Sequence, residues 1–290
     1  MKFGCHVSIS GGLYKAIDNA VERGCDAIQI FVSNPRGWRH SEVTDASIEA
    51  FNIKRQAARI DPVFVHTIYL INLAAADEDI WNRSVVSLRM NAETASRIGS
   101  AAVITHLGHH GRQGEEAGLR RVMEALERTF PVCDECTPIL LETTAGEQNS
   151  VGGHFEDLGR IIHHFEGEAR LGVCMDTCHI FGAGYDLRSK TELDKTLDAL
   201  DQAVGLEKLQ AIHANDSKGA LGSHLDRHEN IGEGHLGREA FRLLVNHPAL
   251  RRVPFIIETP HNEVEQDRIN LALLRSLDVQ ANRKASRRSS

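Results

Sequence analysis

The chain has 290 residues, 41% hydrophobic and 25% charged, enough for one large folded unit or two ordinary ones. No apolar run reaches the roughly 18 residues that cross a bilayer, and the opening MKFGCHVSISGG lacks the basic segment and long apolar core of a signal peptide, so a cytoplasmic location is expected. A net charge of −7 excludes a broadly basic surface, and a nucleic-acid partner would need a local source of positive charge.

In chain order, short apolar runs alternate with longer amphipathic stretches. The runs are FGCHVS (3–8), AIQIFV (27–32), VFVH (63–66), AAVITH (101–106), PILLET (138–143), LGVCMDT (171–177), LQAIHAN (209–215) and PFIIET (254–259). Each is short and largely apolar, the pattern of a strand buried on both faces. Between them, LYKAIDNAVERG (13–24), WNRSVVSLRMNAETASRIG (81–99) and LRRVMEALERTF (119–130) carry helical periodicity, the last two stopping at Gly99 and before Pro131. Eight strand–helix alternations predict an α/β chain with a parallel sheet, and eight is the number that closes a (β/α)₈ TIM barrel. The first strand is followed by SISGGLYKA, which lacks the glycine spacing of an open dinucleotide-binding sheet. A single domain over 1–279 is therefore predicted. The last residues, ANRKASRRSS, are basic, polar and without apolar periodicity, and predict a disordered tail over 280–290.

Six cysteines (Cys5, Cys25, Cys133, Cys136, Cys174 and Cys178) need not pair in a chain this long. Cys133 and Cys136 form a lone CxxC with no second pair to complete a four-sulfur site.

The chemistry-bearing residues stand at the strand ends. His66, His106, Glu142, Asp176, His213 and Glu258 close successive runs, 34 to 45 residues apart. In a barrel, the C-terminal ends of parallel strands converge on one face, so three imidazoles and three carboxylates meet there. Without cations the carboxylates would repel one another; zinc accepts both imidazole nitrogen and carboxylate oxygen. His179, three residues past Asp176, is expected in the following loop, within reach of the same cluster. Asp226 and His228 add two donors on one side of an extended segment. Nine donors exceed one tetrahedral ion and suit two or three. Three Zn²⁺ against four carboxylates would make the pocket positive, a place for a phosphodiester in an acidic protein. His6, at the end of the first strand, faces the same mouth and is expected to hydrogen-bond to the cluster.

LETTAGEQNSVGG (141–153), GVCMDTCHIFGAGYD (172–186), HANDSKGALGSHLDRHENIGEG (213–234) and IIETP (256–260) closely resemble the endonuclease IV family, and the resemblance runs from Met1 to about Val279. It implies a TIM barrel with three zinc ions per chain, hydrolysing the phosphodiester 5′ to an abasic site, or clearing blocked 3′ ends, in double-stranded DNA and leaving a 3′-hydroxyl. By position it implies a first zinc on His66, His106 and Glu142. Glu142 would bridge to a second on Asp176, His213 and Glu258, and the third would take His179, Asp226 and His228. Glu142 is then the expected catalytic residue, fixing the zinc-activated water that attacks phosphorus.

The family grips DNA with loops around the barrel mouth. In SNPRGWRH (33–40), Asn34, Arg36 and Trp38 match the family segment, while Gly37 replaces a longer polar residue. Tyr69 and Leu70 match the pair that enters the gap beside an extruded abasic sugar; Thr67 and Ile68, just before them, replace more polar residues. Asn34, Arg36, Tyr69 and Leu70 are thus the expected DNA contacts. No membrane and no obligate protein partner is expected. Two rival readings share the fold. A sugar isomerase or epimerase of the xylose isomerase type needs about four ligands, which the Asp226–His228 pair exceeds. An inactive DNA-damage binder would tolerate lost ligands, and here none is lost.

Overall fold

Each of the eight apolar runs forms a strand: β1 (Phe3–His6), β2 (Ala27–Phe31), β3 (Val63–His66), β4 (Ala102–Thr105), β5 (Ile139–Glu142), β6 (Leu171–Asp176), β7 (Leu209–His213) and, after the two-residue strands β8 (Asp216–Ser217) and β9 (His228–Glu229), β10 (Phe255–Ile257). The eight are parallel and close on themselves in the order β1-β10-β7-β6-β5-β4-β3-β2. These elements come from a computed structural model that describes residues 1–40, 42–260 and 263–279. The tail expected over 280–290 lies outside the described residues.

Helices α1 (Lys15–Arg23), α2 (Asp45–Ala58), α3 (Glu78–Arg97), α4 (Glu115–Thr129), α5 (Phe155–His164), α6 (Thr177–Ala183), α7 (Lys190–Ala203), α8 (Gly237–Asn246) and α9 (Val264–Leu277) form the outer layer. Their ends follow local chemistry. At α3 the Asp77 side chain accepts from Ile80 N–H, Glu78 and Asp79 occupy the first turn and Arg97 the last, matching the helix dipole. Helix α1 stops where Gly24 turns left-handed at φ 74°.

Strand alternation divides the core in two. One set (among them Ile28, Val65, Val103, Leu141, Val173 and Ile212) packs outward against helical residues such as Ile17, Leu88, Leu126, Leu158 and Leu244. The other set (Ala27, Phe64, Ala102, Ile104, Leu140, Cys174, Ala211 and Ile256) fills the barrel interior. Two residues further along each strand, the next inward position is polar: Gln29, His66, His106, Glu142, Asp176, His213 and Glu258. Parallel register sets these side by side, with His6 opposite Gln29 and Asp176 opposite His213. A packed apolar plug thus supports a polar layer at the C-terminal mouth, where each fully buried Leu, Ile or Phe beneath contributes about 1.5–3 kcal/mol to offset it.

Candidate metal centre

Glu142, buried at the end of β5, presents its two oxygens to different partners. Oε2 lies 2.9 Å from His66 Nε2 and 3.3 Å from His106 Nε2. Oε1 lies 2.8 Å from His213 Nδ1. That nitrogen is also 3.3 Å from Glu258 Oε2 and 3.8 Å from Asp176 Oδ2. Beyond them, Asp226 Oδ1 sits 3.2 Å from His179 Nε2 and 3.3 Å from His228 Nε2. All nine residues expected from the sequence therefore meet at the mouth. Their donor atoms gather, within 4.8 Å of one another, as His66–His106–Glu142, Glu142–Asp176–His213–Glu258 and His179–Asp226–His228.

One expectation needs correction. His179 is in the first turn of α6, not in a loop. Asp176 is the cap of that helix, its Oδ1 accepting from His179 N–H at 2.9 Å, so the carboxylate that closes β6 also starts the helix. The segment after β7 supplies further support. Asn215 donates through Nδ2 to Asp176 Oδ2 at 2.7 Å and accepts from Glu258 N–H at 2.7 Å. Asp216, buried, accepts backbone N–H groups from Ser217, Gly232, Leu236 and Gly237. It ties down both ends of the long loop that carries Asp226, and a Cβ at Gly234 would stand only 2.5 Å from its Oδ1. The antiparallel β8–β9 pair then delivers His228.

Each buried imidazole has one nitrogen committed to an oxygen and the other turned into the site. His66 donates through Nδ1 to Thr67 O (2.7 Å), His179 to Thr143 O (2.8 Å) and His228 to Glu258 O (3.0 Å). A carbonyl only accepts, so these bonds place a proton on Nδ1 and leave Nε2 as the nitrogen that could give an electron pair to a metal. Thr67, one of the departures from the family pattern, thus acts through its backbone. Its side chain is buried and donates to Thr105 Oγ1, and that of Ile68 is buried in the hydrophobic core. His213 is turned the other way round: Nε2 lies 2.7 Å from Gln29 Oε1 and Nδ1 faces the carboxylates. Neither Gln29 nor Asn215 is among the residues expected from the sequence. The alternation of β2, which puts Ala27, Gln29 and Phe31 inward, is the signal that would have found Gln29.

Burial opposes charge in this cluster, yet several of its acids and imidazoles hold one another ionised. For Glu142, burial is outweighed by His106 and His213, which hold its carboxyl well below the usual range. Burial of Glu258 is outweighed chiefly by His213, holding it to about 2. Asp226 is held low by His179 and His228 against its own burial. Conversely, Asp176 and Asp226 outweigh burial to raise His179 well above the ordinary imidazole range and His228 to about 9. His6 and His106, with less compensation, are pushed down by burial, His6 to about 4. A site that draws protons onto buried imidazoles is one where cations would take their place.

The donor set fits zinc. Nε2 of His179 and of His228 are buried and have no hydrogen-bond partner, because Asp226 Oδ1 stands near both but out of line with either. The 3.2 and 3.3 Å from Asp226 Oδ1 to these two nitrogens are close to the edge of about 3.3–3.4 Å in a tetrahedron built on zinc–ligand bonds of about 2.0–2.1 Å. Cys178 also comes within reach of Asp176 and His228. Burial pushes its thiol to about 12, which disfavours the thiolate a metal would need. All six cysteines are free thiols, and the Cys133–Cys136 pair joins no group of three candidate donors among the described residues.

The candidate DNA contacts ring this centre. A cavity of about 1200 Å³ is lined by His66, His106, His179, Asp226, His228 and Glu258 on one side and by Asn34 and Tyr69 on another. Tyr69 and Leu70 project from the turn after β3, 66% and 38% exposed, although both are large and apolar. The Tyr69 ring rests edge-on against Phe31 (5.2 Å between centroids), and Tyr69 N–H donates to Pro35 O, which couples this turn to the loop after β2. In that loop Asn34 and Arg36 are exposed, while Asn34 Oδ1 accepts from Arg36 N–H and shapes the turn. Trp38 packs partly buried against the core.

Residues 17–277 match the family of xylose isomerase-like TIM barrels. Two proteins named "Probable endonuclease 4" are similar along nearly their whole length. That of Methanoculleus marisnigri is 45% identical over 94% of this chain and 98% of its own. That of Chloroflexus aggregans is 46% identical over 95% and 97%. The chain belongs to the endonuclease IV family. Endonuclease IV from Thermus thermophilus superposes with a TM-score of 0.85 at 36% identity, covering 96% of this chain and 98% of that one. A D-tagatose 3-epimerase-like protein also superposes, with a TM-score of 0.74 over 98% of this chain and all of its own, but at 19% identity it shares the fold alone. Endonuclease IV family members are metal dependent, in keeping with the candidate metal-binding clusters here.

Proposed function

We propose that the chain is a zinc-dependent DNA endonuclease that hydrolyses the phosphodiester 5′ to an abasic site in duplex DNA, leaving a 3′-hydroxyl, in base excision repair. The observation that carries this reading is the three adjoining donor sets that share Glu142 beside the exposed Tyr69–Leu70 pair. Blocked 3′ ends, which present the same backbone without an intact partner nucleotide, are included in the substrate class. The folded unit over 1–279 carries the activity, and 280–290 is proposed as a solvated tail. A cytoplasmic location accords with this role. Among the described residues no helix is long and apolar enough to cross a membrane.

His66, His106 and Glu142 would hold one zinc, Glu142, Asp176, His213 and Glu258 a second, and His179, Asp226 and His228 a third. When bound, zinc supplies Lewis acidity toward phosphate oxygens and lowers the pKa of water toward neutrality. The chain's own part is positional. Glu142 spans two donor sets with separate oxygens, and His66 and His213 fix the plane of its carboxylate. Tyr69 and Leu70 would fill the gap left in the duplex, and extruding the abasic sugar costs least where no base is stacked. Arg36 and Asn34 would bind flanking phosphates, which position the duplex without reading sequence.

The test is a duplex with one tetrahydrofuran abasic mimic, labelled at the 5′ end. Incision on the 5′ side of the mimic is expected, giving a product that a polymerase extends, with loss of activity on prolonged chelation. An uncut duplex, or incision of undamaged DNA at the same rate, would contradict the proposal.

A further inference from the structure

The His213 ring differs from the other buried imidazoles of the centre in one respect. His66, His179 and His228 are oriented by backbone carbonyls, which no side-chain substitution removes. His213 is oriented by the side chain of Gln29, a residue of β2 with no exposed surface. The amide can sit only one way. Its Nε2 lies 2.5 Å from Glu258 Oε1, and an ionised carboxylate accepts but cannot donate, so the NH₂ must face it. The same nitrogen is 3.1 Å from His6 Nδ1, an acceptor in the neutral ring. The amide oxygen is thereby turned to His213 Nε2, which must carry a proton, so Nδ1 is the nitrogen that faces Glu142, Asp176 and Glu258 and would give its electron pair to a metal there.

We infer that Gln29 is a positioning residue for the second donor set: its oxygen fixes the His213 tautomer, and its nitrogen holds Glu258 Oε1, leaving Oε2 to the site. The expected link between His6 and the centre runs through it, since His6 Nδ1 is 3.8 Å from Glu258 Oε1 and hydrogen-bonds to Gln29 instead. The inference rests on the metal-centre reading, and it concerns one of three donor sets. Outer partners of this kind set ring orientation and ligand basicity, and their loss typically weakens metal binding about 10–100-fold.

Two substitutions separate the roles of the amide. Gln29→Glu keeps the size and an acceptor for His213 but sets a second carboxylate against Glu258. Gln29→Leu removes both contacts. Zinc is titrated into metal-stripped wild type and both variants against a chromophoric chelator, and ¹⁵N-histidine spectra of the zinc-loaded proteins report which ring nitrogen of His213 carries hydrogen. Thermal unfolding of each protein confirms that it folds, and Gln29→Glu decides the matter should Gln29→Leu fail to. One zinc of three is expected to bind about 10–100-fold more weakly in both variants, with the others unchanged. The Nε2–H of His213 is expected to stay hydrogen-bonded in Gln29→Glu and to lose that hydrogen bond, with a changed chemical shift and faster exchange, in Gln29→Leu. Three zincs in wild type with affinities and His213 signals unchanged in both variants would overturn the role of Gln29 alone. A wild type that binds no zinc would overturn the metal reading and this inference with it.

Discussion

Glu142 Oε1 lies 2.8 Å from Nδ1 of His213 at the end of β7, across the barrel from β3 and β4, whose histidines its other oxygen serves. One buried carboxylate thus joins two donor sets. Glu142→Gln keeps the side chain's shape but removes a charge and turns one oxygen into a donor facing an imidazole. Turnover of abasic DNA is expected to fall at least about a hundredfold. Binding, carried by the loops around the mouth, is expected to remain within a few-fold. Single-turnover incision alongside an equilibrium binding titration checks both; incision at the wild-type rate would remove Glu142 from the chemistry.

The opposite split is expected for the loops. Tyr69→Ala removes a ring that stands exposed on Phe31, and stacking of this kind is worth about 1–3 kcal/mol. Binding to a tetrahydrofuran duplex is expected to weaken by about tenfold or more, while the rate at saturating DNA changes less. Arg36→Ala is expected to weaken binding and to reduce the slope of log affinity against log salt by about 0.9, one phosphate's worth. Unchanged affinity in both variants would place the DNA elsewhere on the molecule.

Acidity overall and a positive demand concentrated in one pocket predict few released counterions. The slope is expected to correspond to about three to five phosphates. Deleting 281–290 removes four basic groups, and with no aromatic residue to stack there, slope and incision are expected to stay nearly constant. A slope that drops by about one to three units on deletion would show that the tail follows the backbone.

Proton linkage gives a separate check on the centre. The folded pKa of His228 is raised to about 9, above the unfolded value of about 6.5. The protonated ring therefore stabilises the metal-stripped fold fully below about pH 6.5, and that contribution is lost as pH rises through about 9. His179, raised in the same way, acts in the same direction. Thermal unfolding of chelator-treated protein is expected to shift down by several degrees between pH 6.5 and 9.5. Zinc-loaded protein is expected to escape this loss, because metal binding releases those protons. A metal-stripped protein whose stability is flat across that interval would contradict the electrostatic account of the cluster.

Much of this architecture was legible in the sequence because two periodicities are strong. Eight buried strands leave eight apolar runs, and a donor at the close of six of them marks the barrel mouth. Attention to the last residue of each strand passes over Gln29, which lies two residues short of the end of β2 on the inward face. Asp216 was hidden for another reason. An acid just after a strand looks exposed, and only the folded loop brings four backbone N–H groups to it. The β8–β9 pair is two residues per strand, too short to show any alternation. His179 was expected in a loop because DTCH carries no helical periodicity; the helix there starts from the Asp176 cap.

The most direct measurement is the metal content of active protein. Elemental analysis of enzyme purified without added metal, and shown to incise a tetrahydrofuran duplex, is predicted to give close to three zinc ions per chain. One metal or none in fully active protein would contradict the account.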